Sequence, residues 1–268
     1  MKELNLNEIK KIQLDVLRKV HLFCEENDIK YFLAYGTLLG AVRHGGYIPW
    51  DDDIDIAMTR PNYEKFIKLF NIDDCYLGTI ELDKNWTLPY GKVCDKSSLV
   101  IESTGDKWGI NIDVFPIDGV PSDDKLLSRH YSKIQKLRFL INRKRYIARG
   151  PWIIKDKGFF YLIKQFIAKL ICMCVPSVSF LCLNLITIFR RYNYNISEKC
   201  ADLNWGGKER LMIKEKIEEL ELIKFEDAYF WGLKDSNYYL SMIFGDYMQL
   251  PPEDKRVTHH SYTAYLLD

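Results

Sequence analysis

The sequence has almost no net charge, no cysteine motif, no internal repeat and no low-complexity segment. Its 38 basic and 37 acidic side chains leave a formal charge of +1, which argues against a nucleic-acid partner. The seven cysteines form no CxxC pair and show no zinc-type spacing with histidine, so we expect free thiols in a reducing cytoplasm. With 47% apolar and 28% charged residues, the chain is neither disordered nor a small disulfide-stapled domain.

The first residues also lack a signal-peptide pattern, because charged residues interrupt them throughout. The spacing over residues 1–27 instead predicts an amphipathic helix that packs on a core. Its apolar face consists of Ile9, Ile12, Val16, Val20 and Phe23.

The near-zero net charge conceals an uneven distribution. Residues 1–123 carry a net charge of −7, residues 124–170 one of +11, and residues 171–268 one of −3. A helix is predicted to begin at Ser122 and to carry much of the basic segment. Such a helix has either a solvated polar face or a docking role toward a polyanionic acceptor, a pyrophosphate-linked lipid carrier, an anionic membrane or nucleic acid, of which the lipid-linked glycan at a membrane surface is favoured by the adjacent apolar helices.

Residues 171–189 contain no charged side chain, which approaches the length of a membrane span. Pro176 and Asn184 argue against a span. We therefore expect a buried helical hairpin broken at Pro176, with a membrane-surface helix or a true span as the alternatives.

Alternating strand patterns and helical patterns are mixed along the chain. Strands are predicted at 31–34, 53–58, 90–101, 109–117 and 221–230, and helices from 38, at 61–70 and at 238–244. This mixture indicates an α+β fold. We divide it into a catalytic core (1–123), a basic and apolar helical region (124–205) and a C-terminal segment (206–268) that packs back on the core.

Four carboxylates crowd into residues 51–55. On a strand, Asp53 and Asp55 would point to one side, about 7 Å apart, and could share divalent cations such as Mg²⁺. Asp113, which also lies between apolar residues on a predicted strand, is the best third carboxylate. An acidic surface loop or a calcium site is the alternative, although the run lacks EF-hand spacing.

Gly36 and Thr37 lie between a short apolar strand and a predicted helix. A turn of small residues at a helix start exposes backbone N–H groups that suit phosphate. This turn, followed by the Asp strand and then Asp113, has the order of a two-metal phosphoryl-transfer site.

Several segments together resemble the LicD family, which includes fukutin-related proteins. They are GTLLGAVRH at 36–44, IPWDDDIDI at 48–56, residues 90–95, IDVFP at 112–116 and the Gly-Asp-Tyr-Met…Pro-Pro pattern at 245–252. The resemblance is specific within 31–118 and 225–256 and only general in between.

The resemblance implies a nucleotidyltransferase-type core, a small mixed sheet flanked by helices, with a helical insertion. It also implies Mg²⁺- or Mn²⁺-dependent transfer of a phospho-alcohol, typically phosphocholine from a CDP-linked donor, to a hydroxyl of a cell-surface glycan or its lipid-linked precursor. By position, Asp53, Asp55 and Asp113 would be metal ligands and catalytic residues, with Asp113 as the base. Gly36 and Thr37 would hold donor phosphates.

Further substrate contacts are expected from Arg43, His44, Asp52 and Lys92, with a surface ion pair, a capping histidine or a solvated lysine as alternatives. Tyr90, Trp108 and Tyr247 are candidates for an aromatic cage around choline. The rival functions are transfer of a nucleotide from a nucleoside triphosphate and non-catalytic binding of anionic glycans. We expect a cytoplasmic enzyme, with peripheral contact to the inner face of an anionic membrane.

Overall fold

The computed structural model describes residues 1–103, 105–149, 163, 166–167, 169–170, 174–258 and 262–267. The helices are α1 (Leu6–Glu26), α2 (Tyr35–His44), α3 (Arg60–Leu69), α4 (Asp124–Arg149), α5 (Val178–Phe189), α6 (Lys214–Glu218) and α7 (Ser236–Phe244). The strands are β1 (Lys2–Glu3), β2 (Phe32–Leu33), β3 (Asp55–Thr59), β4 (Cys75–Gly78), β5 (Gly91–Asp95), β6 (Ser98–Glu102), β7 (Lys107–Trp108), β8 (Asn111–Val120), β9 (Lys199–Asp202), β10 (Met212–Ile213), β11 (Leu220–Phe225), β12 (Ala228–Leu233) and β13 (Tyr262–Leu266). The predicted α+β class is confirmed.

The long strand β8 is the centre of the largest sheet. Along one edge it runs parallel to β3, which pairs antiparallel with β2. Its other edge is shared, because β5 pairs with its first half and β9 with its second half. Strands β4 and β10 extend this mixed sheet outward. The parallel register sets Asp55 directly beside Asp113.

A second sheet joins the two ends of the chain in the order β1-β13-β6-β7. Strands β11 and β12 form a separate hairpin. The sequence predicted one strand over 221–230, and this is corrected: the chain reverses at Glu226 and Asp227. Glu226 adopts a positive φ of 57°, which a tight hairpin turn requires.

The helix predicted over 1–27 is α1, which begins at Leu6 because residues 2–3 pair with β13 instead. Asn5 caps it: the Asn5 side chain accepts from the Glu8 N–H at 3.1 Å, and the Glu8 carboxylate accepts from the Asn5 N–H at 3.0 Å. Such a reciprocal capping box satisfies two backbone donors. The predicted apolar face is buried except at Ile12, which is half-buried.

Helices α4 and α5 pack against each other and against β8 and β9 in a second apolar core. The Asp123 side chain caps α4 by accepting from the Leu126 N–H at 2.8 Å. Helix α5 begins after Pro176, as predicted, with Ser177 as its cap. Much of the segment before Cys174 lies outside the described residues. No helix in the described part of the chain is long and apolar enough to cross a membrane.

Strand β9 lies in the region predicted to be helical, yet it completes the central sheet beside β8. The C-terminal strand β13 pairs with β6. The domain division remains a prediction.

Candidate active site

A cavity of about 960 Å³ opens where β3 and β8 begin. Its walls come from α1, α2, β3 and the loop before it, strands β5 to β8, α4, α7, β13 and segments that follow β9 and α7. The predicted site residues in its wall are Gly36, Arg43, Asp52, Asp53, Asp55, Lys92 and Asp113. The fold therefore gathers most of the predicted site in one place.

The acidic loop precedes β3 rather than forming part of it. The sequence predicted a strand from Asp53, whereas β3 begins at Asp55. The loop is held by α1 instead, because Gln13 Nε2 donates to the Asp52 carbonyl at 2.9 Å. Asp53 and Asp55 therefore do not share one strand face. The carboxylates of Asp51, Asp52 and Asp53 offer ligand oxygens that lie within 4.8 Å of one another.

Two hydrogen bonds of the Asp55 backbone hold this residue in place. Its N–H donates to Thr37 Oγ1 at 2.8 Å, and its carbonyl accepts from the Ala34 N–H at 2.9 Å. Burial raises the pKa of the Asp55 carboxyl well above its usual range, and the charges of Asp53 and Asp113 raise it further. Crowded carboxylates of this kind are stabilised by a bound cation.

Asp113 forms an ion pair with Lys92, which also donates to Asn111 Oδ1 at 3.0 Å. The Lys92 ammonium lies 5.1 Å from the Trp108 ring centroid and 5.9 Å from that of Tyr90. Burial alone would lower the pKa of Lys92, but Asp113 outweighs it and the pKa is raised. Lys92 thus remains a cation inside the cavity.

Gly36 permits a close approach between α2 and the acidic loop. A β-carbon at Gly36 would lie 2.5 Å from Asp51 Oδ2. The preceding residue, Tyr35, has a positive φ of 46°. Thr37 is buried outside the cavity wall, where its hydroxyl accepts from the Asp55 N–H. The predicted role of Gly36 and Thr37 in holding phosphate remains a prediction.

Arg43 and His44 occupy different surroundings at the end of α2. Arg43 lines the cavity and donates to the Tyr247 carbonyl at 2.6 Å. His44 is exposed and lies outside the cavity wall, with its ring edge-to-face on Trp50 at 6.3 Å between centroids. Partial burial and then the Arg43 charge lower the pKa of His44. The structure therefore brings Arg43, and not His44, to the carboxylates.

The cavity wall also includes polar and aromatic side chains that the sequence did not assign to the site. Among them are Glu102, Asp106, Arg145, Trp205 and Arg210. Arg145 had a usable signal, because it stands one helical turn after the buried Ile141 and so turns inward from the basic segment. Trp205 lies in a turn and Arg210 in a short 3-10 helix, and neither segment shows a local sequence pattern.

Comparison with known proteins identifies the family of the chain. A family model described as LicD/FKTN/FKRP, nucleotidyltransferase domain, matches residues 28–147. The lipopolysaccharide cholinephosphotransferase LicD of Haemophilus influenzae is 30% identical over 277 residues, which cover 100% of both chains. The human ribitol 5-phosphate transferase FKRP is 50% identical over 34 residues, 13% of this chain and 7% of that protein. The chain belongs to the LicD family and is a phosphotransferase.

Proposed function

We propose that the protein transfers phosphocholine from CDP-choline to a hydroxyl group of a cell-surface glycan or of its lipid-linked precursor. The hydroxyl oxygen attacks the phosphorus that bears choline, the bond from that phosphorus to the CMP oxygen breaks, and CMP leaves. The observation that carries this proposal is the convergence of seven aspartates and four basic side chains on one cavity. The full-length relative, a lipopolysaccharide cholinephosphotransferase, supports the same reaction class.

The acidic loop fits a hard divalent cation. Asp51, Asp52 and Asp53 supply only carboxylate oxygens, and these lie within 4.8 Å of one another, which suits Mg²⁺ or Mn²⁺. When bound, such an ion neutralises phosphate charge and stabilises the departing CMP. Asp55 and Asp113, side by side on β3 and β8, complete the ligand set in this proposal.

Asp113 is the proposed acceptor of the hydroxyl proton. Its carboxylate is oriented by Lys92, which Asn111 holds in turn. A positioned base of this kind contributes about 10²- to 10⁴-fold to a rate. Arg43 is placed to bind a donor phosphate in this scheme.

The choice of phosphocholine is supported by the other cavity walls. Glu102 and Asp106, on either side of the turn between β6 and β7, add negative charge, and Trp108 and Tyr247 add aromatic rings. Carboxylates and ring faces are the groups that attract a quaternary ammonium. An uncharged polyol such as ribitol carries no positive charge for these groups to attract.

The function is tested by a donor screen with Mg²⁺ that follows CMP release from CDP-choline, CDP-ethanolamine, CDP-glycerol and CDP-ribitol. We expect CDP-choline to be consumed fastest. A preference for an uncharged alcohol would contradict the choice of donor. The rival function is nucleotidyl transfer; pyrophosphate release from CTP, without CMP release from any of these donors, would establish it.

We also infer that the protein acts on the cytoplasmic face of an anionic membrane. One face of α4 combines exposed cations with exposed apolar side chains. These are Lys125, Arg129, Lys133, Lys136, Phe139, Leu140 and Arg143. Such a face suits an anionic lipid surface, because the cations meet headgroups while the apolar groups enter the interface.

A further inference from the structure

The loop that follows β9 brings two side chains to the cavity from a distant part of the sequence. Strand β9 pairs with β8 through Asp202 and Ile117, so the loop starts next to the strand that carries Asp113. Asp202 anchors the loop: its carboxylate accepts from the Asn204 N–H at 2.7 Å, and its carbonyl accepts from the Gly206 N–H at 3.3 Å. Trp205 lies between these anchored residues and is therefore held at a defined place.

Trp205 keeps a large ring open to solvent within the cavity wall. Its side chain is 56% exposed, and its ring lies 6.2 Å from that of Tyr90, at an angle of 51°. Tyr90 packs in turn on Phe115 at 4.6 Å and lies near the Lys92 ammonium. An aromatic side chain with a free face, backed by a second ring, is the arrangement on which nucleotide bases stack.

Two guanidinium groups line the same cavity, and each has unused donors. Within the described ranges, the Arg210 guanidinium forms no hydrogen bond and no ion pair. Arg145 donates through one terminal nitrogen to the Thr87 carbonyl, while its buried Nε has no partner. The other two basic side chains of the cavity are engaged, Lys92 with Asp113 and Arg43 with the Tyr247 carbonyl.

We propose that Trp205, Arg145 and Arg210 form the nucleotide half of the donor site. The base stacks on the free face of Trp205, and the two guanidinium groups bind the phosphate of the nucleotide, for which their planar donors are suited. This inference rests on the proposed function, because it requires a nucleotide-linked donor. A neutral acceptor sugar could also pack on Trp205, but it would leave both guanidinium groups without an anion.

The test is equilibrium binding of CMP to the full-length protein, measured by titration calorimetry without acceptor or turnover. Trp205→Ala and Arg210→Gln should each weaken CMP binding by about tenfold or more. Trp205→Phe, which retains an aromatic face, and Arg210→Lys, which retains the charge, should each recover part of the loss.

The matched controls are Tyr229→Ala, an aromatic residue that is 59% exposed on β12, and Arg191→Gln, an exposed arginine outside the cavity. Both controls should bind CMP like the wild type, and thermal unfolding verifies that each variant is folded.

The outcomes separate this inference from the proposed function. If the wild type binds CMP and the folded Trp205 and Arg210 variants bind it equally well, the inference is overturned while the proposed function stands. The same holds if those variants lose only affinity for the acceptor. If the wild type binds no CMP and releases none from any CDP-alcohol, the proposed function fails, and the nucleotide site fails with it.

Discussion

Asp53 and Asp55 enter the same cavity from different surroundings. Asp53 belongs to a loop whose three carboxylates lie close together, whereas Asp55 is held by Thr37 and Ala34 at the start of β3. The pKa of Asp55 is raised by burial and by Asp53 and Asp113. The crowding of these negative charges supports the proposal that a cation binds here.

Replacing Asp53 or Asp55 by Asn should therefore abolish turnover without unfolding the protein. Each variant removes a charged ligand, so we expect Mn²⁺ affinity, measured by calorimetry, to fall at least about tenfold. Asp73→Asn, an exposed aspartate outside the cavity, is the control and should leave both quantities unchanged. Unaltered activity in Asp53→Asn would mean that the chemistry lies elsewhere.

Gly36 lies where α2 comes so close to the acidic loop that a side chain does not fit. Because a β-carbon would lie 2.5 Å from Asp51 Oδ2, Gly36→Ala should displace the acidic loop and reduce kcat by about ten- to a hundredfold. The control is Val42→Ala, an exposed position on the same helix. If Gly36→Ala retains full kcat and metal affinity, the loop is not positioned by α2.

At the scale of elements, a buried ion pair joins α3 to the central strand. Arg60 donates through two nitrogens to the Asp118 carboxylate, each at 2.7 Å, and the side chains are only 8% and 1% exposed. Burial alone would lower the pKa of Arg60, but Asp118 outweighs it and the pKa is raised. The pair fixes the start of α3 against β8, the strand that carries Asp113.

Asp118→Asn should lower the free energy of unfolding by about 3–5 kcal/mol, because it leaves the Arg60 charge buried and unpaired. Urea unfolding measures this loss. Asp227→Asn breaks the exposed ion pair with Arg18 and should cost less than about 1 kcal/mol. Equal losses in the two variants would contradict the structural role assigned to the buried pair.

Helices and strands with a strong local period were predictable from the sequence, and so was the gathering of carboxylates. Helix α1, the strands around Asp55 and Asp113, and the helix after Pro176 follow from apolar spacing and capping residues. The start of β3 at Asp55 does not follow from local patterns. The acidic loop before it is held by Gln13, which lies 39 positions away in the sequence from its partner Asp52. Likewise, Trp205 and Arg210 reach the cavity only through the pairing of β9 with β8, which local patterns do not reveal.

At the scale of the whole molecule, the +1 net charge is the sum of an acidic region, a basic region and a mildly acidic C-terminal region. The acidic one contributes most of the carboxylates of the cavity, and the basic one is α4 with the segment that follows it. Arg145 of α4 points into the cavity, while Lys136 and Arg143 are exposed. Helix α4 thus contributes a side chain to the cavity and, in our proposal, binds the membrane through its exposed face.

Changing Lys133, Lys136 and Arg143 together to Gln should reduce co-sedimentation with anionic phosphatidylserine vesicles by at least about tenfold, since each cation contributes about 1 kcal/mol near such a surface. Raising the salt concentration should weaken wild-type binding in the same direction. The control carries the same change at Lys11, Lys224 and Lys234, which are exposed on other elements. Absence of wild-type binding, or equal loss in the control, would contradict membrane docking by α4.

The most direct test of the reaction is the fate of the oxygen between the two phosphorus atoms of the donor. CDP-choline labelled with ¹⁸O at that bridging position is turned over with Mg²⁺, and the products are weighed by mass spectrometry. Attack at the phosphorus that bears choline, which we propose, leaves the label in CMP. Label in phosphocholine would show attack at the nucleotide phosphorus and would contradict the proposed function.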